Sequence, residues 1–311
     1  MTEAEADGEA PFEPGMLERR VRERTAAALR TGALQPIPTR GEIIEDAGVP
    51  FFVRVLDNLK RKEAAQRIRR AASAEAGRSP FLPWDPDLFV AGISPTHVCL
   101  LNKFNVMERH LLIVTREFRE QESALERTDF EALATCMAEF DSLGFYNAGA
   151  VAGASQRHKH LQLVPLPLAP NLPPGAAGVP VSALLAPAPD AGTIGTVPRL
   201  PFAHALAALA PQAWDSPAGA AAGMLEAYAA LLRFTGLRPS DTEAAGGPCN
   251  LLVTRRWMLL VPRARECFDS ISINALGFAG ALLVKTQEQL ERLRRVGPMA
   301  ALATVAAERR P

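Results

Sequence analysis

The sequence has little of what marks a secreted, metal-stabilised or membrane-spanning chain. It contains only four cysteines, and no two of them have the Cys-x-x-Cys spacing of a zinc ribbon or a redox pair. No apolar run reaches the roughly eighteen residues that a membrane-spanning helix needs. The N-terminus is acidic and polar, unlike a signal or transit peptide. We therefore expect a cytoplasmic protein with no structural zinc site, no disulfide framework and no membrane partner.

Excess charge of one sign is also absent. Lys and Arg total 34, Asp and Glu total 34, and the formal net charge is zero. Nucleic-acid and membrane-surface binding both depend on an excess of positive charge. The sequence therefore indicates small-molecule partners and no nucleic acid. The oligomeric state stays open, a homo-oligomer included.

The spacing of apolar residues predicts both helices and strands. Helical periodicity covers 16–34, 60–76, 129–143, 217–232 and 274–293. Short apolar or alternating segments predict strands at 51–55, 87–93, 97–101, 111–115, 158–164, 250–253 and 257–261. The two kinds of element mix without βαβ regularity and without an internal sequence repeat, so the expected class is α+β.

Composition divides the chain into four parts. Residues 1–14 are predicted to be a disordered tail, and residues 15–164 an N-terminal catalytic part. Residues 165–217 hold twelve of the 26 prolines, which exclude long regular elements, so we expect a connection that runs over the surface. Residues 218–311 are expected to complete the same α+β domain.

The chemistry is concentrated in the segment His-Lys-His-Leu-Gln at 158–162. On a strand, His158, His160 and Gln162 lie on one face, with about 6.6–6.8 Å between successive members. The small-residue turn Gly153-Ala154-Ser155 precedes them and can present backbone N–H groups to an anion. This face therefore combines two imidazoles and an amide beside a candidate phosphate-binding turn.

An imidazole suits nucleotidyl transfer because it is largely unprotonated at neutral pH and still leaves readily. A covalent histidine intermediate divides one difficult displacement into two easier ones. The amide of Gln162 can donate to a phosphate oxygen but cannot deliver a proton as an acid. That combination fits a leaving group that is itself a nucleotide phosphate.

Two other interpretations of the histidine pair stay open at this point. The pair can be structural, with its hydrogen bonds satisfied inside the protein. It can also bind zinc or iron, since His-x-His pairs often do so with a third ligand from elsewhere. His97, His110 and His204 show no second ligand cluster in the sequence, which counts against a metal.

Several segments in order resemble the ATP adenylyltransferases, also called diadenosine tetraphosphate phosphorylases, in the transferase branch of the histidine-triad superfamily. These are Leu-Leu-Asn-Lys-Phe-Asn at 100–105 with His-Leu-Leu-Ile-Val-Thr at 110–115, the segment 153–167, Asn-Leu-Leu-Val-Thr-Arg-Arg-Trp at 250–257, and Ala-Leu-Gly-Phe-Ala-Gly at 275–280 through Lys285. Weaker similarity extends the match from about residue 50 to about 290. The related sugar uridylyltransferases have prolines at the x positions of His-x-His-x-Gln, where this chain has Lys159 and Leu161. The adenylyl branch is therefore favoured.

The resemblance implies an α+β fold with a histidine-triad-like central antiparallel sheet and flanking helices. It implies phosphorolysis of diadenosine tetraphosphate to ADP and ATP, and the reverse, through a covalent adenylyl-histidine. His160 is then the nucleophile, His158 orients it or contacts phosphates, and Gln162 binds the transferred α-phosphate. The residues implied to contact the nucleotide or its phosphates are Lys60, Asn102, Lys103, Asn147, Gly153, Ala154, Ser155, Gln156, Thr254 and Lys285. For Lys60, a surface lysine is the alternative interpretation.

The resemblance implies no covalent cofactor, and any Mg²⁺ is expected to arrive with the nucleotide. The expected partners are diadenosine polyphosphates, ATP, ADP and phosphate. Four alternatives stay open: a nucleotide hydrolase of the same fold, a sugar-nucleotide transferase of the same fold, a metal-dependent hydrolase using His158 and His160, and a catalytically silent nucleotide-binding protein.

Overall fold

Helices and strands are interspersed along residues 12–56, 79–170, 172, 178–185, 192–237 and 246–309, which the computed structural model describes. The α-helices of these ranges are α1 (Leu17–Thr31), α2 (Arg127–Met137), α3 (Pro217–Thr235), α4 (Ala275–Ala279), α5 (Gln287–Val296) and α6 (Pro298–Val305). The strands are β1 (Thr39–Asp46), β2 (Val49–Leu56), β3 (Phe89–Gly92), β4 (His97–Leu101), β5 (Leu111–Thr115), β6 (Ser142–Asn147), β7 (His160–Pro165), β8 (Ile194–Gly195), β9 (Ala205–Ala208), β10 (Cys249–Val253), β11 (Trp257–Pro262), β12 (Cys267–Phe268), β13 (Ile271–Ser272) and β14 (Ala281–Val284).

A nine-stranded sheet forms the centre of the described structure. Its strand order is β3-β4-β5-β7-β6-β10-β11-β9-β8, and every neighbouring pair is antiparallel. A smaller sheet, β1-β2-β14, pairs β14 parallel with β2. The predicted α+β class, with a central antiparallel sheet and flanking helices, is confirmed.

The two halves of the central sheet repeat one order of elements. In the first half, the β4–β5 pair leads to α2, then to β6 and β7, and β7 returns to pair with β5. In the second half, the β8–β9 pair leads to α3, then to β10 and β11, and β11 returns to pair with β9. The halves meet where β6 pairs with β10. The fold thus contains a topological repeat that the sequence does not show.

The two faces of the central sheet bury different partners. One apolar cluster joins α1, α2 and α3 to this sheet and includes Leu161 and Leu163 of β7. A second cluster joins the opposite face to the smaller sheet, to α4–α6 and to residues between 178 and 202. In α1 the predicted apolar stripe is buried at Leu17, Val21 and Ala28. Alternation along β7 therefore sends its leucines to the helical face and leaves its polar residues on the other.

The predicted helix over 129–143 is wrong beyond residue 137. Helix α2 ends at Met137, and 142–147 form β6, a fully buried strand between β7 and β10. Gly144, directly after the predicted helix, lies within this strand. A Cβ there would come within 2.9 Å of Leu133 and 3.3 Å of Met137, so glycine permits close packing of α2 on the sheet.

The surface connection predicted over 165–217 is also wrong where the structure describes it. This segment supplies β8 and β9 to the central sheet. Its residues Val181, Leu184, Leu200 and Phe202 are buried in the second apolar cluster. Proline keeps the elements short, as predicted, but the apolar residues between the prolines still bury their surface against the sheet.

The predicted helix over 274–293 is interrupted by a strand. Helix α4 ends at Ala279 and is capped by Gly280, which adopts φ +95°, and β14 follows before α5 begins. Strand β14 forms because it pairs with β2, more than 200 residues earlier, and helical periodicity does not report such long-range pairing. Strand β1 was likewise not predicted. The predicted helix over 60–76 and residues 1–11 of the predicted tail lie outside the described residues.

Lys159, between the two motif histidines, is buried on the helical face. Its Nζ lies 2.7 Å from Oδ2 of Asp129 in α2 and donates to the Ala124 carbonyl at 2.7 Å. The other oxygen of Asp129 lies 3.0 Å from Nε2 of His97. Burial raises the pKa of Asp129, but hydrogen bonds and charge from His97 and Lys159 outweigh it and leave this pKa below its ordinary value. The pair ties β7 to α2.

Replacing Lys159 by Met should therefore destabilise the fold strongly. The change leaves the carboxylate of Asp129 buried without its cation, which typically costs about 3–5 kcal/mol. The free energy of unfolding is measured by urea titration followed by circular dichroism. As a control, Arg22→Met removes the exposed Arg22–Glu18 pair of α1 and should cost less than about 1 kcal/mol. Equal, small losses in both variants would contradict a structural role for the buried pair.

Candidate functional site

His160 begins β7 with its imidazole held in one tautomer. Its Nδ1–H donates to the carbonyl oxygen of His158 at 2.7 Å. A neutral imidazole carries a single N–H, so Nε2 keeps its lone pair. Burial lowers the pKa of His160 to about 4, and so the ring is neutral at physiological pH. The structure thus leaves the lone pair of His160 Nε2 free of a proton at neutral pH.

The backbone of His160 is held by the side chain of Gln121. The amide oxygen of Gln121 accepts from His160 N at 2.8 Å, and its Nε2 donates to the carbonyls of His160 and Asn147 at 3.1 and 3.0 Å. Gln121 is 2% exposed and replaces the missing backbone pairing where β6 and β7 separate. Sequence reasoning missed this residue, since a lone glutamine in a loop carries no local signal.

His158 precedes the strand and is fully buried. Its Nε2 lies 2.8 Å from the carbonyl oxygen of Thr115, to which it donates, and its Nδ1 lies 2.5 Å from the hydroxyl of Ser79. Burial lowers the pKa of His158 as well. Both ring nitrogens are therefore engaged, and the carbonyl of His158 orients His160.

The side chain of Gln162 is oriented by His110, which was not among the predicted site residues. The Nε2–H of His110 donates to Oε1 of Gln162 at 2.9 Å. Nδ1 of His110 in turn accepts from the amide of Asn102 at 3.2 Å. Burial lowers the pKa of His110 to about 4, so the ring stays neutral. With its oxygen occupied, Gln162 can present only its NH₂ to a ligand.

Asn147 stands on the same face as His160, at the end of β6. Phe145 pairs with Gln162 in the β6–β7 ladder, so Asn147 and His160, two positions further along each strand, are level with each other. The Asn147 oxygen Oδ1 accepts from Asn250 Nδ2 at 2.8 Å and from Ala275 N at 3.0 Å. Its NH₂ therefore faces away from these donors.

The turn between β6 and His158 is shaped by two glycines. Gly149 and Gly153 both adopt φ +86°, and a Cβ on Gly153 would lie 2.8 Å from the carbonyl oxygen of Ile273. The Ala154 N–H is used inside the turn, where it donates to Gly149 O at 3.1 Å. Ser155 is exposed and Gln156 half-buried at the end that leads to His158. The predicted loop residues 153–156 therefore do adjoin the histidines.

An aromatic surface adjoins the histidines on this face. The Phe81 ring contacts the rings of both His158 and His160 edge-on, with centroids 5.7 and 5.3 Å apart. Trp84 stacks on Phe89 at 6.0 Å, and all three rings pack on a small apolar cluster of β4 and β5. These rings are half-buried, so His160 lies beside a partly exposed apolar surface.

Two predicted residues lie away from this group. Thr254 follows β10 at the end opposite Asn250, and its hydroxyl accepts from Arg256 N and Trp257 N to form the β10–β11 turn. Lys285 follows β14 of the smaller sheet and is exposed. Lys103 follows Asn102 and is half-buried, and Lys60 lies outside the described residues. The structure therefore brings together His158, His160, Gln162, Asn102, Asn147 and the 153–156 turn.

Family models match nearly the whole chain. Residues 7–187 match the model described as the Ap4A phosphorylase N-terminal domain, and residues 198–308 match the ATP adenylyltransferase C-terminal domain. The chain belongs to the Ap4A phosphorylase family. The family predicted from four sequence segments is thereby confirmed. No helix of the described residues is long and apolar enough to span a membrane.

Individual relatives in this family come from Saccharomyces cerevisiae. Diadenosine 5',5'''-P1,P4-tetraphosphate phosphorylase 2 is 27% identical over 310 residues, covering 89% of this chain and 90% of the relative. Protein APA1 is 28% identical over 210 residues, covering 62% of this chain and 63% of the relative. The crystal structure of yeast Ap4A phosphorylase Apa2 in complex with AMP matches with a TM-score of 0.76, 23% identity and coverage of 96% of this chain and 98% of that one. The structure of Apa2 in complex with Ap4A matches with a TM-score of 0.73, 22% identity and coverage of 96% and 100%. The fold is therefore shared.

The tautomer and the low pKa of His160 are directly testable. In ¹⁵N NMR of imidazole-labelled protein, His160 should appear as the Nδ1–H tautomer and should stay neutral between pH 8 and about pH 5. The reason is that burial lowers its pKa to about 4. Between about pH 4 and 6.5 the unfolded chain binds a proton at this residue and the folded protein does not. The free energy of unfolding should therefore decrease as pH falls through that window. His160→Gln assigns the signal, and a midpoint near 6.5 would show that the ring is not buried as described.

Proposed function

We propose that this chain catalyses the reversible phosphorolysis of diadenosine 5',5'''-P1,P4-tetraphosphate (Ap4A) to ADP and ATP. The observation that carries the proposal is the neutral His160 ring with Nε2 unprotonated and Nδ1–H fixed on a carbonyl. The printed names of the relatives support it, because one is a diadenosine tetraphosphate phosphorylase and the solved Apa2 structures contain AMP and Ap4A.

The reaction proceeds through two displacements at one phosphorus atom. Nε2 of His160 attacks the α-phosphorus of Ap4A, a nitrogen–phosphorus bond forms, and the bond to the departing ATP breaks. A phosphate oxygen then attacks the same phosphorus, the nitrogen–phosphorus bond breaks, and ADP leaves. The His158 carbonyl accepts from Nδ1–H throughout, which stabilises the positive charge that the ring gains while it carries AMP.

Two side-chain amides are placed to bind the transferred phosphoryl group. Gln162 and Asn147 each have their oxygen occupied by protein donors and each present an NH₂ on the face that carries His160. An amide donates to phosphate oxygens without supplying a proton, and a departing nucleotide phosphate needs none. We assign Ser155 and Gln156 to the neighbouring phosphates, and the surface formed by Phe81, Trp84 and Phe89 to a purine base.

The alternatives differ from this proposal in the atoms they require. A metal-dependent hydrolase would need imidazole nitrogens free to bind the ion, whereas His158 uses both of its nitrogens and His160 one. Within the described residues, no group of three or more His, Cys, Asp or Glu side chains could hold a metal. A hydrolase or a sugar-nucleotide transferase of the same fold differs only in the acceptor or the substrate. Product analysis therefore decides among the alternatives on this fold.

Two further properties belong to the same proposal. Mg²⁺ enters with the nucleotide and is bound by its phosphates. The working compartment is the cytoplasm, which suits four free thiols of which Cys99, Cys136 and Cys249 are buried. Phosphate is the acceptor, and the nucleotides Ap4A, ADP and ATP are the partners.

Product analysis tests the acceptor and the nucleophile together. With Ap4A and phosphate, the protein should release ADP and ATP in equal amounts, at a rate that rises with phosphate concentration. His160→Ala should remove essentially all turnover, a loss of several orders of magnitude, because the covalent route is gone. Circular dichroism confirms that the variant is folded. Equal release of AMP and ATP without phosphate would identify a hydrolase, and substantial turnover by the variant would exclude the covalent mechanism.

His110 should control turnover through Gln162. His110→Phe keeps a ring in the core but removes the donor to Gln162 Oε1, so the amide can rotate and turn an oxygen toward the phosphate. We expect kcat to fall by about 10²- to 10³-fold, as for the loss of one donor to a developing charge, with little change in KM. His110→Gln restores an N–H and should recover part of that loss.

His204 provides the matched control for this change. It is a buried histidine that directly precedes β9, as His110 directly precedes β5, and it accepts from Val197 N at 2.7 Å. His204→Phe should leave kcat per folded molecule unchanged. If both phenylalanine variants lose the same activity, the effect of His110 is one of stability and not of orienting Gln162.

A further inference from the structure

Arg263 in the second half of the chain is buried without a carboxylate partner among the described residues. It directly follows β11 and is 4% exposed. Its guanidinium donates to several backbone carbonyls, which are those of Ile273 at 2.8 Å, Arg265 at 2.8 Å, Glu266 at 3.1 Å, Val305 at 3.2 Å and Ala152 at 3.4 Å. Because the guanidinium is planar and held at many points, the direction of each of its N–H groups is fixed.

One N–H of this guanidinium determines the orientation of Asn250. Nη1 of Arg263 donates to Oδ1 of Asn250 at 2.5 Å. The amide of Asn250 must then place its NH₂ on the opposite side, where Nδ2 donates to Asn147 Oδ1 and to Ala152 O, each at 2.8 Å. Both amide hydrogens are thereby used, and Asn250 has no exposed surface. A rotated amide would set an N–H against Arg263 and an oxygen against two acceptors.

The same logic extends to Asn147. Its Oδ1 receives Asn250 Nδ2 and Ala275 N, which together occupy both oxygen lone pairs. Within the described ranges, no protein group accepts from Nδ2 of Asn147. Asn147 stands level with His160 on the same sheet face, by extension of the β6–β7 register. An oriented donor beside the nucleophile, with no acceptor of its own, matches a phosphate oxygen of a bound nucleotide.

We propose that Arg263 and Asn250 are positioning residues that fix the Asn147 amide with its NH₂ toward the α-phosphate. This inference rests on the proposed function and extends it, because it makes the C-terminal half of the chain set a donor in the N-terminal half. We call the series of hydrogen bonds from Arg263 through Asn250 to Asn147 the relay. A second relay, from Asn102 through His110 to Gln162, has the same form. Each relay occupies an amide oxygen so that only N–H groups face the substrate.

The test compares two ligands, AMP and adenosine, by titration calorimetry on the full-length chain. Adenosine lacks the phosphate, so its affinity reports the integrity of the site without the contact in question. Asn250→Leu removes both hydrogen-bonding atoms at similar volume. Asn250→Asp keeps an acceptor for Arg263 but has no hydrogen for Asn147, so the Asn147 amide should rotate to donate to the carboxylate.

We expect both variants to weaken AMP binding by at least about tenfold, which corresponds to one hydrogen bond to a charged group. Adenosine affinity should change by less than about twofold, well under the effect of one such bond. In an Asn147→Leu background, Asn250→Leu should cause no further loss of AMP affinity, since the relay acts only through that amide. A purely structural role would weaken both ligands and would stay additive in the double variant.

Arg255→Lys is the matched control. Arg255 donates to the Met137 carbonyl at 3.0 Å. Because it lies in the turn at the other end of the same β10–β11 hairpin, replacing it by Lys should not change AMP affinity. Unchanged AMP affinity in both Asn250 variants overturns the relay. Weaker AMP binding in Asn250→Asp alone also overturns it, because that loss would be an effect of the added negative charge. If Asn250→Leu fails to fold, AMP binding is compared among Asn250→Asp, Asn147→Asp and the double variant that carries both changes. Equal losses of AMP affinity in the single and double variants support the relay. Additive losses in the double variant overturn it.

The proposed function is judged separately, by whether the wild type turns over Ap4A with phosphate. Because calorimetry needs no turnover, an inactive wild type that binds AMP still tests the relay. A wild type that binds no AMP overturns both the relay and the function.

Discussion

The rest of the site depends on one hydrogen bond, from Nδ1–H of His160 to the carbonyl oxygen of His158. It selects the tautomer, and so it leaves Nε2 without a proton. Burial lowers the pKa of the ring to about 4, so the bond is kept at neutral pH. Gln121 holds the strand that makes this bond possible, and buried hydrogen bonds hold the ring of His158. An imidazole held in this way needs no general base to free its Nε2 lone pair, and the neighbouring groups are free to bind charge.

The side chains around His160 are also oriented by hydrogen bonds, because protein donors already point at their acceptor oxygens. Gln162 and Asn147 are ambiguous groups, since an amide can turn either an oxygen or an NH₂ toward a ligand. Donors from His110, Asn250 and Ala275 remove that ambiguity. The resulting face donates hydrogen bonds and carries no buried carboxylate beside His160 among the described residues. Such a surface favours a phosphate anion and stabilises charge without moving a proton.

The sequence pattern predicted those features of the site that depend on neighbouring residues in the chain. Strict alternation placed Leu161 and Leu163 on the helical face, and thereby His160 and Gln162 on the other, as the structure shows. The strands at 97–101 and 111–115 were predicted at their observed bounds because each is a short apolar run. Strand β14 and the role of Gly144 were not predicted, because they depend on partners distant in sequence. The relays were missed on the same ground, since each pairs residues more than fifty positions apart.

The repeated order of elements also shows how the two halves of the described sheet differ. Each half places a buried histidine directly before its second strand, His110 before β5 and His204 before β9. Each half then returns after its helix with a strand whose first residue is His160 in β7 and Trp257 in β11. Trp257 packs in the second apolar cluster with Leu200 and Phe202, from the proline-rich segment. In the C-terminal half, therefore, the segment rich in proline covers the face that corresponds to the one carrying His160 and Gln162 in the N-terminal half. Burial of that apolar surface stabilises the second half, which also reaches Asn147 through hydrogen bonds from Asn250 and Ala275, with Asn250 held in turn by Arg263.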